Sequence, residues 1–159
     1  MGEVIYEKKF KYKGPMDVKQ VYKTIKDYLD SKGYDVIEKK HEEEVKEDGS
    51  RSISIELEAE KEPIEDYVKY KMSIEISFDN VKKAVVDGKE MDDGEFEIKV
   101  KSEMETSEKV FGEGPLNKFW KALFEKYLIG SEYKQWKKQG SKEADGLIQE
   151  IKKILGTRI

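Results

Sequence analysis

The amino-acid sequence predicts an α+β fold: a curved antiparallel sheet of five to seven strands, with one N-terminal helix and two or three C-terminal helices packed on one face. Three observations carry that expectation. Between residues 34 and 106 apolar and polar side chains alternate with a period of two, which gives a sheet one oily face and one wet face. Residues 17–32 and 115–156 repeat apolar side chains every three or four positions instead, the spacing of a helix stripe. The chain has 159 residues, the size of one domain, and a fold of that length buries about 68–70% of the surface its unfolded chain exposes. We read residues 1–159 as one domain without internal repeats or low-complexity tracts.

The first strand covers residues 3–12, where Val4, Tyr6, Phe10 and Tyr12 share one parity, and Gly14-Pro15 ends it. Asp17 then caps a helix over 17–32, with Gln20 placed for a capping box and Gly33 as its stop. Val18, Val21, Tyr22, Ile25, Tyr28 and Leu29 form its apolar stripe. Residues 34–47 are nearly all charged and suit an edge strand, because charge there blocks pairing with another sheet. Asp48-Gly49 marks a hairpin turn. Strands follow at Ile53–Ala59, Val68–Phe78 and Phe96–Met104, with a small extra strand expected within residues 80–94, which hold a short apolar piece, Val81 to Val86, and turn signals at Asp87-Gly88 and Asp93-Gly94. Gly112-Glu113-Gly114-Pro115 is a hinge. Beyond it Leu116, Phe119, Trp120, Leu123, Phe124, Tyr127 and Leu128 form a broad stripe; Gly130 and Gly140 are expected to break the C-terminal region into separate helices, the last carrying Leu147 to Leu155.

Composition narrows the function. Lys and Arg number 31 against 35 Asp and Glu, for a net charge of −4, and only Arg51 and Arg158 are arginine. This Lys/Glu-rich pattern is that of proteins from hot-growing organisms, archaeal in character, and an AT-rich genome is the alternative source. Cysteine is absent, which excludes disulfides, thiol nucleophiles and cysteine-built zinc sites. No apolar run reaches the roughly 20 residues of a membrane span, and Met1 to Ile5 has no signal-peptide pattern, so a cytoplasmic location is expected. Residues 113–159 carry 10 basic and 6 acidic side chains while the preceding 112 carry 21 and 29. Basic helices docking on an acidic sheet explain that polarity, and peripheral contact with an anionic membrane is the weaker use of it.

The chemistry-bearing residues are few. His41 is the only histidine and sits among Glu42, Glu43 and Glu44, where a solvated charged strand outweighs a metal site or a catalytic base. Gly112-Glu113-Gly114 lacks the following lysine of a phosphate loop. Glu56, Glu58 and Glu60 share a strand face and are expected to pair with Lys69, Lys71, Lys99 or Lys101, not to act as catalytic acids. Lys134, Trp136, Lys137 and Lys138 are the nearest approach to a nucleic-acid surface, and net acidity argues against it. No catalytic residue, metal ligand or cofactor is assigned. The aromatic stripe Phe119, Trp120, Phe124 and Tyr127 reads either as core packed on Tyr70, Met72, Ile74 and Phe96, or as the lid of an apolar ligand cavity.

Strand, helix, a run of antiparallel strands and a long terminal helix over residues 3–139 resembles the element order of the START/SRPBCC helix-grip superfamily. The resemblance implies a sheet wrapped around the terminal helix with an apolar ligand between them. Tyr70, Met72, Phe96, Phe119, Trp120, Leu123 and Tyr127 would then line the ligand site. The functional expectation is a non-catalytic binding protein for an apolar small molecule. The alternative is a protein–protein interaction or assembly module, self-association included, using the C-terminal helices around Trp136 and Ile151 to Leu155.

Overall fold

A computed structural model describes residues 2–64, 67–106 and 130–156. The described elements run β1 (Glu3–Met16), α1 (Val18–Ser31), β2 (Asp35–Val45), β3 (Arg51–Ile64), β4 (Val68–Val86), β5 (Lys89–Thr106) and α2 (Gly130–Ile154). All neighbouring strands pair antiparallel in the order β1-β5-β4-β3-β2. One face buries Ile53, Ile55 and Leu57 of β3, Tyr70, Met72, Ile74, Ile76 and Phe78 of β4, and Phe96, Ile98, Val100 and Met104 of β5. Both helices lie on that face. The opposite face carries cross-strand ion pairs such as Lys71–Glu58 at 3.1 Å and Lys69–Glu60 at 3.3 Å.

The expected architecture needs correction in its helices and strands. Among the described residues there are two helices, one at each end, and five strands; the two or three C-terminal helices and the strand count of up to seven do not match. Gly140 does not end a helix, because α2 continues unbroken through it for 25 residues. The extra strand expected at 80–94 is absent too. Its residues extend β4 and β5 into one long hairpin around Asp87-Gly88, and Asp93-Gly94 pairs with β1 inside β5. Nor does Gly14-Pro15 stop β1, which runs on to Met16. A proline is tolerated there because β1 is an edge strand with ladder bonds on one side only. A bulge between Val4 and Tyr6 inserts Ile5, so Ile5 packs on the core while Val4 is exposed.

Helix α1 forms where its sequence places it. Asp17 accepts a hydrogen bond from the Gln20 amide at 3.2 Å, satisfying one of the orphan donors of the first turn. At the other end the Tyr34 amide returns to Leu29 O and the Gly33 amide to Asp30 O, both at 3.0 Å, which closes the helix with a Schellman turn. Val18, Val21, Ile25 and Leu29 face the sheet.

Two glycines explain why α2 lies so close to its neighbours. A Cβ on Gly140 would stand 2.7 Å from the Tyr70 ring and 2.6 Å from Ile5 Cδ1, and one on Gly146 would collide with the Tyr28 hydroxyl. Ala144 between them, and Leu147, Ile148 and Ile151 beyond Gly146, are fully buried. Tyrosine hydroxyls then fasten the helix: Tyr70 donates to Trp136 O, Tyr28 to Glu143 O at 2.6 Å, and Tyr6 to Asp145 at 2.9 Å. Glu143 is buried, but its carboxylate is paired on both oxygens with Lys61 Nζ at 2.9 and 3.2 Å and receives Gln139 Nε2 at 2.8 Å. A charge can be buried at modest net cost only when its lone pairs are filled in this way.

This seating yields two expected outcomes. Alanine is favoured over glycine inside a helix by about 1 kcal/mol, yet here it would overpack against a rigid ring at a cost of about 1–3 kcal/mol. Gly140→Ala should therefore lower the urea midpoint, where an exposed helix glycine would raise it. The second outcome concerns alkali. Burial, reinforced by Glu143, pushes Tyr28 up to about 12, and burial likewise raises Tyr6, Tyr34 and Tyr70. The neutral phenol is thus the folded form. Its contribution is complete below the ordinary value near 10 and is lost as pH rises through about 12. Tyrosinate absorbance and circular dichroism should change together in one cooperative step above pH 10; a stepwise titration without loss of structure would contradict this packing.

Candidate functional site

The described sheet has a second, less filled end. Where the N-terminus of α1 crosses strands β2 to β5, a cleft of about 430 Å³ opens. That volume falls in the range of small-molecule sites. Val18, Ile53, Ile55 and Phe78 form its floor, each at most 9% exposed. Asp17, Lys19, Tyr22, His41, Glu43, Arg51, Lys83 and Asp92 form its walls and rim. A depression of comparable volume among Lys39, Glu56, Glu58 and Glu75 lies on the charged outer face and lacks an apolar floor of this extent.

Two bulges aim the polar residues. On β2 the pairing shifts between Glu38 and Lys40, leaving Lys39 extra, so Glu38 and His41 share the inner face although three residues separate them. On β4 the pairing shifts between Asp79 and Lys82, where Asn80 takes a left-handed φ of 54°. Before this bulge the even-numbered residues of β4 point inward. After it Val81 is buried and Lys83 stands opposite Asp92 at the cleft.

At one wall, the Tyr22 hydroxyl donates to Glu38 Oε1 at 2.9 Å, and His41 Nδ1 contacts the same oxygen at 3.0 Å. Those two hydrogen bonds hold the Glu38 carboxyl below its ordinary range. Burial, then Glu38, pushes Tyr22 up to about 12, so it is a neutral donor at any physiological pH. At the opposite wall Asp92 is 8% exposed and is held by Arg51 at 3.1 Å and Lys83 at 3.0 Å. Arg51 also reaches Glu43 at 3.5 Å. A guanidinium fork can span two carboxylates at once, which an ammonium does less well.

Of the ligand set expected from sequence, the described members do not line this cleft. Tyr70, Met72 and Phe96 are 0–1% exposed in the core, with the Tyr70 hydroxyl used on α2. Phe119, Trp120, Leu123 and Tyr127 lie outside the described residues, and so does the expected lid. Sequence reasoning missed Tyr22, Glu38, Arg51, Lys83 and Asp92. One signal pointed to Arg51: it is one of two arginines in a chain that otherwise uses lysine. Among the described residues no group of three or more His, Asp or Glu converges as metal ligands, and no helix is long and apolar enough to cross a membrane. Compared with family models, with curated proteins and with solved structures, the chain finds no match in any of the three.

Arg51→Lys should keep one of the two carboxylate contacts and lose the bridge. For a pair this accessible the expected cost is about 1 kcal/mol, read from denaturant midpoints. In combination with Glu43→Gln the two losses should be less than additive; strict additivity would mean that the bridge contributes nothing.

Proposed function

We propose that the protein is a non-catalytic binding protein for a small amphipathic molecule, held in the cleft between the N-terminus of α1 and the β2–β5 end of the sheet. The observation that carries this reading is the combination of an apolar floor, Val18, Ile53, Ile55 and Phe78, with a rim of fixed polar groups in a space of about 430 Å³. Apolar surface supplies affinity in such sites, and a few oriented polar groups supply orientation. A catalytic role has less support. His41 and Glu38 touch, but their side chains are 45% and 40% exposed, and open water around an acid–base pair removes the low dielectric that makes it effective.

The order strand, helix, four strands, helix, with the two helices on one face, supports a helix-grip-like arrangement for this protein. In this reading the ligand lies against α1 and not under α2, where Gly140 and Gly146 bring the helix into contact with Tyr70 and Tyr28. Self-association through α2 is supported less well, because Ile151 is fully buried and Ile154 and Leu155 pack against the core.

Nile red, a neutral apolar dye, tests the site. Its fluorescence should rise on binding to the native protein, and the rise should disappear in both Ile53→Trp and Val18→Trp, which fill the cleft floor from β3 and from α1. Circular dichroism identifies either variant that fails to fold. Undiminished dye binding by folded versions of both variants would remove the cleft as the binding site.

A further inference from the structure

The polar end of the cleft uses one carboxylate unevenly. Arg51 Nη2 and Lys83 Nζ both approach the same oxygen of Asp92, Oδ1, at 3.1 and 3.0 Å. With both cations on Oδ1, Oδ2 is the less engaged oxygen of the pair. Asp92 keeps 8% of its surface exposed and lines the cleft. Asp92 thus offers the cleft a strong hydrogen-bond acceptor whose position is fixed by two cations on its other oxygen.

The charges around this acceptor restrict what can use it. Among the residues that line the cleft, Lys19, Arg51 and Lys83 balance Asp17, Glu43 and Asp92, three against three; Glu38 holds Tyr22 and His41 but is not itself a lining residue. An anionic ligand would have to compete with Asp92 for Arg51 and Lys83, while a cationic one would have to compete with those residues for Asp92. Either would also bring an unmatched charge onto an apolar floor, which is costly. A neutral group with an O–H donor fits without breaking any existing pair. We infer, building on the reading of the cleft as a binding site, that its ligand is a neutral amphipathic alcohol whose hydroxyl donates to Asp92 Oδ2 while its apolar body lies on Ile53, Ile55 and Phe78.

Displacement of bound Nile red by four probes with the same chain tests this: n-octanol, its methyl ether, octanoate and octylamine. A hydrogen bond to a charged group contributes about 1.5–3 kcal/mol, so in the native protein n-octanol should displace the dye at concentrations roughly tenfold or more below those of the ether, which cannot donate. Octanoate and octylamine should be weaker than n-octanol. In Asp92→Asn the carboxamide oxygen is drawn toward Arg51 and Lys83, which turns its NH₂ group to the cleft. The acceptor becomes a donor, and the preference for alcohol over ether should vanish or reverse; circular dichroism confirms the fold of this variant. Equal displacement by alcohol and ether, with binding still blocked by Val18→Trp, would overturn the hydroxyl inference and leave the cleft as an apolar site. Stronger displacement by octanoate or octylamine would overturn it in favour of a charged ligand. A dye unaffected by Val18→Trp would overturn both readings together.

Discussion

The seating of α2 depends on two places where a side chain is missing. Gly140 and Gly146 let the helix backbone descend onto Tyr70 and Tyr28, and most of the contacts that hold the element in place follow from that approach. Only at this separation can the phenol of Tyr70 reach a helix carbonyl, and only in this register does Glu143 meet Lys61. The arrangement joins the first strand, the first helix and the last helix, which are far apart in sequence, through side chains of β1, α1, β3 and β4. Its stability is consequently shared between shape and electrostatics. Wrong shape at either glycine would separate the buried carboxylate from the lysine that neutralises it, and an uncompensated buried charge is costly.

Close packing at that end has a counterpart at the other. The inner face of the sheet is long, with β4 spanning 19 residues and β5 18, and α2 covers only part of it. Toward Phe78 and Ile53 the covering element is the first turn of α1, whose cap and rim residues are polar. The outcome is a face that changes along its length from a dry interface under α2 to a cleft with an apolar base and ion-paired walls. The carboxylates that line the cleft are held by partners: Asp17 by the Gln20 amide, Glu43 by Arg51, and Asp92 by Arg51 and Lys83.

Elements with a single uninterrupted period were legible in the sequence. The stripe of α1, its Asp17 cap, and the alternating centres of β3, β4 and β5 all lie where local spacing placed them. What was not legible involves either contact between distant segments or a break in period. Gly140 has the local signature of a helix end, but its reason is a ring from β4 that no local window contains. Asp93-Gly94 has the signature of a turn, yet it is part of a paired strand because β1 adds along β5. The cleft residues were hidden for a related reason. Counting alternate positions from Val36 puts His41 on the outer face, and counting from Phe78 does the same for Lys83; one inserted residue in each strand reverses the answer.

The bulge at Asn80 gives the cleft an unusual kind of encoding. Which way Lys83 faces is set by the one extra residue that the bulge absorbs at Asn80 as much as by the alternation of the strand around it. A residue at position 80 that refuses the left-handed φ of 54° would press β4 toward plain alternation at unchanged length, swinging Lys83 to the far side of the sheet and Val81 out of the core, whereas loss of the Asn80 codon would remove the bulge and leave both facing inward. One backbone conformation on β4, at a residue that does not itself line the cleft, thus bears directly on ligand recognition.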